Sequence, residues 1–329
     1  MRKKLNTLLK YVMKYNASDV HFLLENGKLK VRVRSLQGFV AINDKKLNVT
    51  LFHYLKFISN LDLGNSLLPQ SGNFSYSFKS KELHFRFSYL RTLQSQSGVL
   101  RVLNNHPKIE INQLSKEKYQ NTIFHTWTQF RSGLILVSGP TGSGKSTTLH
   151  AILELIAKKE KLNVITLEDP VEIKSENYLQ LQINERLNFD YREGIRQLLR
   201  HDPDVIMIGE IRDEETAKML IRSALSGHMV FTTIHAKSCK EALLRLEEFG
   251  ISKLDLKETV TGVTNQRIFK SKDSNSRVCI YEVLEKEELM EVLQTGMLPK
   301  GYADIKTKIK NAVNKGWIDK ESAQSDIIV

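Results

Sequence analysis

At 329 residues the chain has room for two domains, and its 41 % apolar and 26 % charged residues are those of a soluble globular protein. The two cysteines, Cys239 and Cys279, form no C-x-x-C pair, which excludes a zinc ribbon and reads as reduced thiols in a cytoplasmic protein; no apolar run approaches membrane-spanning length. The net charge of +12 lies entirely in residues 1–104, where 17 Lys/Arg face 5 Asp/Glu, leaving open nucleic acid, an anionic membrane surface, an acidic protein or nucleotide phosphate as its partner.

The segment MRKKLNTLLKYVMKY is not a signal peptide, because Lys10 and Lys14 interrupt its apolar part and no small-residue cleavage site follows. Leu5, Leu8, Leu9, Val12 and Met13 follow helical spacing, which predicts an amphipathic helix packed on its own domain. A short strand follows at Val20–Leu24, turned by Glu25-Asn26-Gly27. In Leu29–Arg34 apolar and basic residues alternate, the pattern of a half-buried strand. A helix is expected over Leu51–Leu61, a hairpin over Phe74–Phe78 and Leu83–Tyr89, and a last strand over Val99–Leu103. These make a small, basic α+β domain over residues 1–104, followed by a linker over 105–110. Over residues 111–329 helical segments alternate with the apolar runs Leu134–Val137, Val164–Leu167, Val205–Ile208 and Met229–Thr233. That is the pattern of a doubly wound α/β core with chemistry at the carboxyl ends of its strands. Residues 284–329 read as largely helical and polar.

The second domain opens with GLILVSGPTGSGKST (133–147), a complete G-x-x-x-x-G-K-[ST] phosphate loop between a buried strand and a helix. Gly139, Pro140, Thr141, Gly142, Ser143, Gly144, Lys145, Ser146 and Thr147 are the expected nucleotide-binding residues. The glycines let backbone N–H groups surround a phosphate at a helix N-terminus. Lys145 is expected at the β/γ-phosphates and the Ser146 hydroxyl on Mg²⁺. Strand Val164–Leu167 delivers Glu168-Asp169-Pro170-Val171-Glu172. Adjacent carboxylates at a strand end suit water positioning and metal coordination, so Glu168 is a candidate catalytic residue and Asp169 a candidate metal ligand. Strand Val205–Ile208 runs into Gly209-Glu210, like a Walker B strand with glycine in place of the usual aspartate, which makes Glu210 the candidate for polarising the attacking water. His235, at the end of the run beginning at Met229, is placed to sense the γ-phosphate. Three of the six prolines, Pro140, Pro170 and Pro203, fall in these segments and set rigid turns there.

Together GPTGSGKST (139–147), ITLEDPVE (165–172), LLRHDPDVIMIGEIRDEETA (198–217) and GHMVFTTIHA (227–236) resemble the secretion ATPase superfamily, the motors of type II secretion, type IV pili and competence pseudopili. ALLRLEEFG (242–250) and NQRIF (265–269) continue the likeness, as do ASDVHF (17–22), KVRVRSLQG (30–38), FRFSYL (85–90) and VLRVL (99–103) in the first domain. The resemblance implies a RecA-like P-loop ATPase domain behind a smaller, PAS-like N-terminal α+β domain. It implies a homo-hexameric ring using ATP and Mg²⁺, peripheral to the inner face of a bacterial membrane, with a polytopic platform protein as partner and no direct contact with nucleic acid. It also implies that arginines close on the nucleotide: Arg86 and Arg101 on first-domain strands, with Arg91 a further candidate, and Arg196, Arg200 and Arg212 in the second. The chain departs from the family pattern at Ser95-Gln96, where Gly-Glu is common, and at Ala236-Lys237-Ser238, where Thr-Asn-Asp is usual. The tetracysteine module of many type II motors is absent, and the short length resembles competence-type assembly motors. A retraction motor and a nucleic-acid-dependent RecA-like ATPase are the alternatives.

Overall fold

The computed structural model describes residues 1–35, 38–64, 67–79, 81–103, 109–159, 162–184, 187–273 and 276–328. The chain divides into two compact units, Met1–Pro107 and Lys108–Val329. Most of the 105–110 linker expected from sequence lies outside the described residues.

The first unit runs α1 (Arg2–Lys14), β1 (Asp19–Glu25), β2 (Lys28–Ser35), β3 (Gly38–Ala41), α2 (Val49–Ile58), β4 (Gln70–Phe78), β5 (Lys81–Arg91) and β6 (Ser95–Val102). The strands form one antiparallel sheet in the order β3-β2-β1-β6-β5-β4. Asn26 and Gly27 both have positive φ, as a two-residue hairpin turn requires, and they join β1 to β2. One face of the sheet buries Val20, Phe22, Val31, Val33, Phe85, Phe87 and Leu100 against Leu5, Leu8, Leu9 and Val12 of α1 and Leu51, Phe52 and Leu55 of α2. Met13, expected on the buried stripe of α1, is exposed instead. The period-2 alternation puts Arg32, Arg34, Arg86 and Arg101 on the opposite, open face. There Arg34, Asp19, Arg101 and Arg86 stand in register across four strands.

The second unit begins with a one-turn 3₁₀ helix and continues α3 (Lys118–Trp127), β7 (Gly133–Ser138), α4 (Lys145–Ala157), β8 (Val164–Glu168), β9 (Leu179–Gln182), α5 (Tyr191–Leu199), β10 (Val205–Ile208), α6 (Glu214–Leu225) and β11 (Met229–Ile234). It ends with α7 (Cys239–Glu248), α8 (Lys253–Thr259), β12 (Val260–Lys270), β13 (Arg277–Glu285), α9 (Lys286–Thr295), α10 (Ile305–Asn314) and α11 (Lys320–Ile328). The sheet order is β13-β12-β7-β11-β10-β8-β9, parallel throughout except for β13. Strands β7 and β11 are buried on both faces, which explains their unbroken apolar runs. On one face Ile135, Val137, Met207 and Phe231 pack against α3 and α4, through Phe124, Trp127, Leu149, Ile152 and Ile156. On the other, Leu134, Leu136, Ile165, Leu167, Ile206, Ile208 and Val230 pack against α5 to α9. This is the doubly wound α/β core expected, with the carboxyl ends of β7, β8, β10 and β11 brought to one edge by their register.

Candidate active site

The phosphate loop leaves β7 at Ser138 and enters α4 at Lys145. Gly139, Gly142 and Gly144 all have positive φ, Gly144 as the N-cap of α4. The loop is wedged against β12: a Cβ at Gly139 would stand 2.6 Å from the Gln266 carbonyl oxygen, and Gln266 Nε2 donates to the Ser143 carbonyl at 2.6 Å. Lys145 Nζ donates to the carbonyls of Gly139 and Pro140, at 3.0 and 3.1 Å, so the ammonium lies in the mouth of the loop. Burial pushes its pKa down, against the pull of Glu210 and Glu172.

The carboxylates separate into two environments. Glu168, at the end of β8, is only 4 % exposed and faces inward. It accepts hydrogen bonds from Thr166 Oγ1 at 2.7 Å and Gln180 Nε2 at 3.0 Å, and lies 3.3 Å from His150 Nε2 on α4. The other ring nitrogen of His150 is bonded to the Tyr178 hydroxyl, whose pKa burial raises. Glu210, just past β10, is only half-buried. Its Oε1 lies 3.2 Å from His235 Nε2 and its Oε2 accepts from Arg212 Nε at 3.2 Å. Arg212 also reaches Asp169 Oδ2 at 3.4 Å, so Arg212 joins Glu210, Asp169 and, through Glu210, His235. Burial and the Lys145 charge hold the His235 imidazole below its ordinary pKa, which keeps it neutral at pH 7. The backbone at His235, just past β11, is held by Arg245, whose Nη1 donates to the His235 carbonyl at 2.6 Å.

Ser146 Oγ donates to Glu172 Oε2 at 2.8 Å. Asp169, the metal ligand expected with Ser146, is bonded to Arg212; the carboxylate beside the Ser146 hydroxyl is Glu172, the last residue of ITLEDPVE. Among the described residues no group of three His, Cys, Asp or Glu side chains is built to hold a metal by itself. Arg196 lies on α5, 4.0 Å from Glu193 of its own helix, and Arg200 is that helix's C-cap. On the first unit Arg101 Nε donates to the buried Asp19 at 2.8 Å, and Arg86 is its cross-strand neighbour. The two departures from the family pattern are absorbed locally. Ser238 caps α7, its hydroxyl accepting from Glu241 N–H as an aspartate would. Gln96 accepts from the Tyr89 hydroxyl at 3.2 Å beside the β5–β6 turn.

His150, Tyr178, Gln180, Arg245, Asn265, Gln266 and Arg267 carry no catalytic signature in the sequence. For the last three the only signal was the string NQRIF, which carries no chemistry until β12 is seen beside β7.

A family model described as Type II/IV secretion system protein matches residues 1–313. Competence protein ComGA of Bacillus subtilis (strain 168) is 33 % identical over 296 residues, 84 % of this chain and 83 % of that protein. A putative type II secretion system protein E of Escherichia coli (strain K12) is 35 % identical over 269 residues, 81 % of this chain; the chain spans about half the length, 54 %, of that relative. Among solved structures, the pilus retraction motor PilT with bound ADP superimposes with a TM-score of 0.76 at 25 % identity, covering 98 % of this chain and 96 % of PilT. The Legionella pneumophila ATPase DotB shares the fold, with a TM-score of 0.80 at 23 % identity over 98 % of this chain and 95 % of DotB. With a phosphate loop, a strand-end glutamate and a histidine converging on one sheet edge, the chain is an ATPase and belongs to the type II/IV secretion system protein family.

Proposed function

We propose that the chain is the Mg²⁺-dependent motor of a type IV pilus-like, competence-type assembly machine for DNA uptake. It works as a homo-hexamer peripheral to the inner face of the cytoplasmic membrane, with a polytopic platform protein as partner. No helix among the described residues is long and apolar enough to cross a membrane. The observation that carries the reading is the convergence of Lys145, Glu210, Arg212 and His235 at the ends of β7, β10 and β11, in a chain similar over 84 % of its length to a competence protein.

The loop fits a triphosphate. The Ser143 hydroxyl is buried there with no partner among the described residues, and the space beside Gly142 is open. Lys145 and the loop N–H groups hold the β- and γ-phosphates. Ser146, Glu172 and Asp169 offer the hard oxygens that Mg²⁺ prefers; the bound ion neutralises charge on the phosphate oxygens. Glu210, held by Arg212 and His235, takes the proton of the attacking water. The neutral His235 imidazole couples the position of Glu210 to the γ-phosphate. Glu168 serves the same catalysis from the buried side, fixing the end of β8 through His150 and Gln180. Arg86, Arg101, Arg196 and Arg200 stand as the further phosphate contacts on the family's pattern.

The likeness to PilT favours a second reading, a retraction motor. Deleting the gene discriminates: loss of fibres supports assembly, and hyperpiliation supports retraction. The purified chain should hydrolyse ATP weakly alone and faster with the platform protein in vesicles. Tight binding of single-stranded DNA at physiological salt would instead support the nucleic-acid-dependent alternative.

A further inference from the structure

Three consecutive carbonyls follow β11, and each accepts a hydrogen bond from a side chain of another element. Arg245 Nη1 binds the His235 oxygen at 2.6 Å, Asn265 Nδ2 the Ala236 oxygen at 3.0 Å, and Arg267 Nη2 the Lys237 oxygen at 2.9 Å. The last two come from β12. Asn265 Nδ2 also donates to Ser138 Oγ at 2.8 Å, at the root of the phosphate loop. Arg267 then ties the arrangement together. Its Nη1 donates to Asn265 Oδ1 at 2.7 Å and to the Gln266 carbonyl at 3.0 Å, and its Nε donates to Asp326 Oδ1 of α11 at 3.0 Å. The Arg267 side chain is 11 % exposed and the Asp326 side chain 31 %. A guanidinium suits such a site, because its planar fork presents several donors in fixed directions that an ammonium cannot reproduce. Its charge is also felt at Lys145, whose pKa it helps to lower after the larger effect of burial.

We infer that Arg267 is a positioning residue for His235, and that α11 governs it through Asp326. One arm fixes the segment that carries His235; the other holds Asn265, which spans the same segment and the start of the phosphate loop. Freeing Arg267 from Asp326 lets the fork rotate, and the Lys237 and Asn265 bonds loosen together. The imidazole then loses its fixed place against Glu210. A misplacement of about 1 Å in a catalytic group costs on the order of a hundredfold in rate, and a partial loosening correspondingly less. The inference rests on the proposed roles of Glu210 and His235. It makes ATP turnover answer to the conformation of α11, far along the chain from the residues that do the chemistry.

The test is steady-state ATP hydrolysis by the full chain carrying Asp326→Ala, Asp326→Glu or Arg267→Lys, with Glu210→Gln in parallel and thermal melting of each. Asp326→Ala is expected to lower kcat about tenfold while KM for ATP and the melting temperature stay near wild type. Asp326→Glu is expected to recover at least about half of the rate by restoring the pair, and Arg267→Lys to fall at least as far as Asp326→Ala because the fork is lost. Wild-type kcat in Asp326→Ala would overturn the inference, as would a rise in KM at constant kcat. So would a fall in kcat that tracks the melting temperature and is not rescued by glutamate. If Glu210→Gln turns over normally, the catalytic reading itself has failed. If Glu210→Gln is inactive and Asp326→Ala is normal, only this inference has failed.

Discussion

Replacing Glu210 by glutamine separates catalysis from binding and folding. The wild-type carboxylate divides its oxygens, one to His235 Nε2 and one to Arg212 Nε, each at 3.2 Å. Glutamine keeps a carbonyl oxygen for Arg212. Its amide can donate to His235 Nε2 when the neutral imidazole shifts its proton to Nδ1. The constellation therefore survives while the base is lost. Removing a positioned general base costs about 10²- to 10⁴-fold in turnover. The stability cost is small: Arg212 is 54 % exposed, and a solvent-screened ion pair contributes under about 1 kcal/mol. For a domain of this size that lowers the melting temperature by no more than about 4 °C. Nucleotide should bind as well as before or better, since a negative charge facing the triphosphate is gone. Phosphate release at saturating Mg²⁺ and ATP, with nucleotide affinity and melting measured on the same preparation, gives all three numbers. Turnover within about threefold of wild type, far above the loss expected for a base, would refute the assignment of Glu210.

Three other consequences can be measured. Glu172→Gln weakens the carboxylate beside Ser146 and should raise the Mg²⁺ concentration for half-maximal hydrolysis about tenfold, read from a magnesium titration at fixed ATP. Glu282 is pushed up to about 7, chiefly by burial, and its proton-bound form is favoured in the fold. Its contribution is therefore complete below its ordinary value and is lost as pH rises through 7, so unfolding in urea should show stability falling by up to about 3 kcal/mol between pH 5 and pH 8. Glu282→Gln, which keeps an acceptor for the Cys239 N–H, should flatten that slope. Gly98→Ala places a Cβ 2.6 Å from Phe87 Cζ and 2.8 Å from Phe52 Cε2, and overpacking of this kind should cost about 1–3 kcal/mol in denaturant unfolding.

The strands of the first unit were legible because one face is buried and one open. Lys30, Arg32 and Arg34 alternate with Leu29, Val31 and Val33, and a register slip would bury the arginines. Strand β3, four residues long with no buried side chain, leaves no such trace. In the second unit β7, β8, β10 and β11 announce themselves as apolar runs, but β12 does not. VTGVTNQRIFK buries Thr264, Asn265 and Gln266, polar residues whose partners are fixed only by the tertiary fold. The candidate site divides the same way. The phosphate loop, Glu210 and His235 sit at strand ends where periodicity stops, and their residue types state their chemistry. Glu168 and Glu172 lie four residues apart in one string, and nothing in that string says which faces inward to His150 and which faces Ser146.

The wedge of the phosphate loop against β12 has a bearing on how the chain acquires its activity. Ser138 Oγ donates to the Thr264 carbonyl across 126 residues, and the loop's glycine turn is held by Gln266. Such a contact closes only after a long stretch of chain has been ordered, and the loop entropy is lost before the contact repays it. A ribosome that has delivered everything up to α8 has delivered the whole phosphate-binding motif, yet the neighbour that shapes it has not been synthesised. Nucleotide binding is thus gained late, when β12 docks beside β7, and incomplete chains carry the motif without the means to use it.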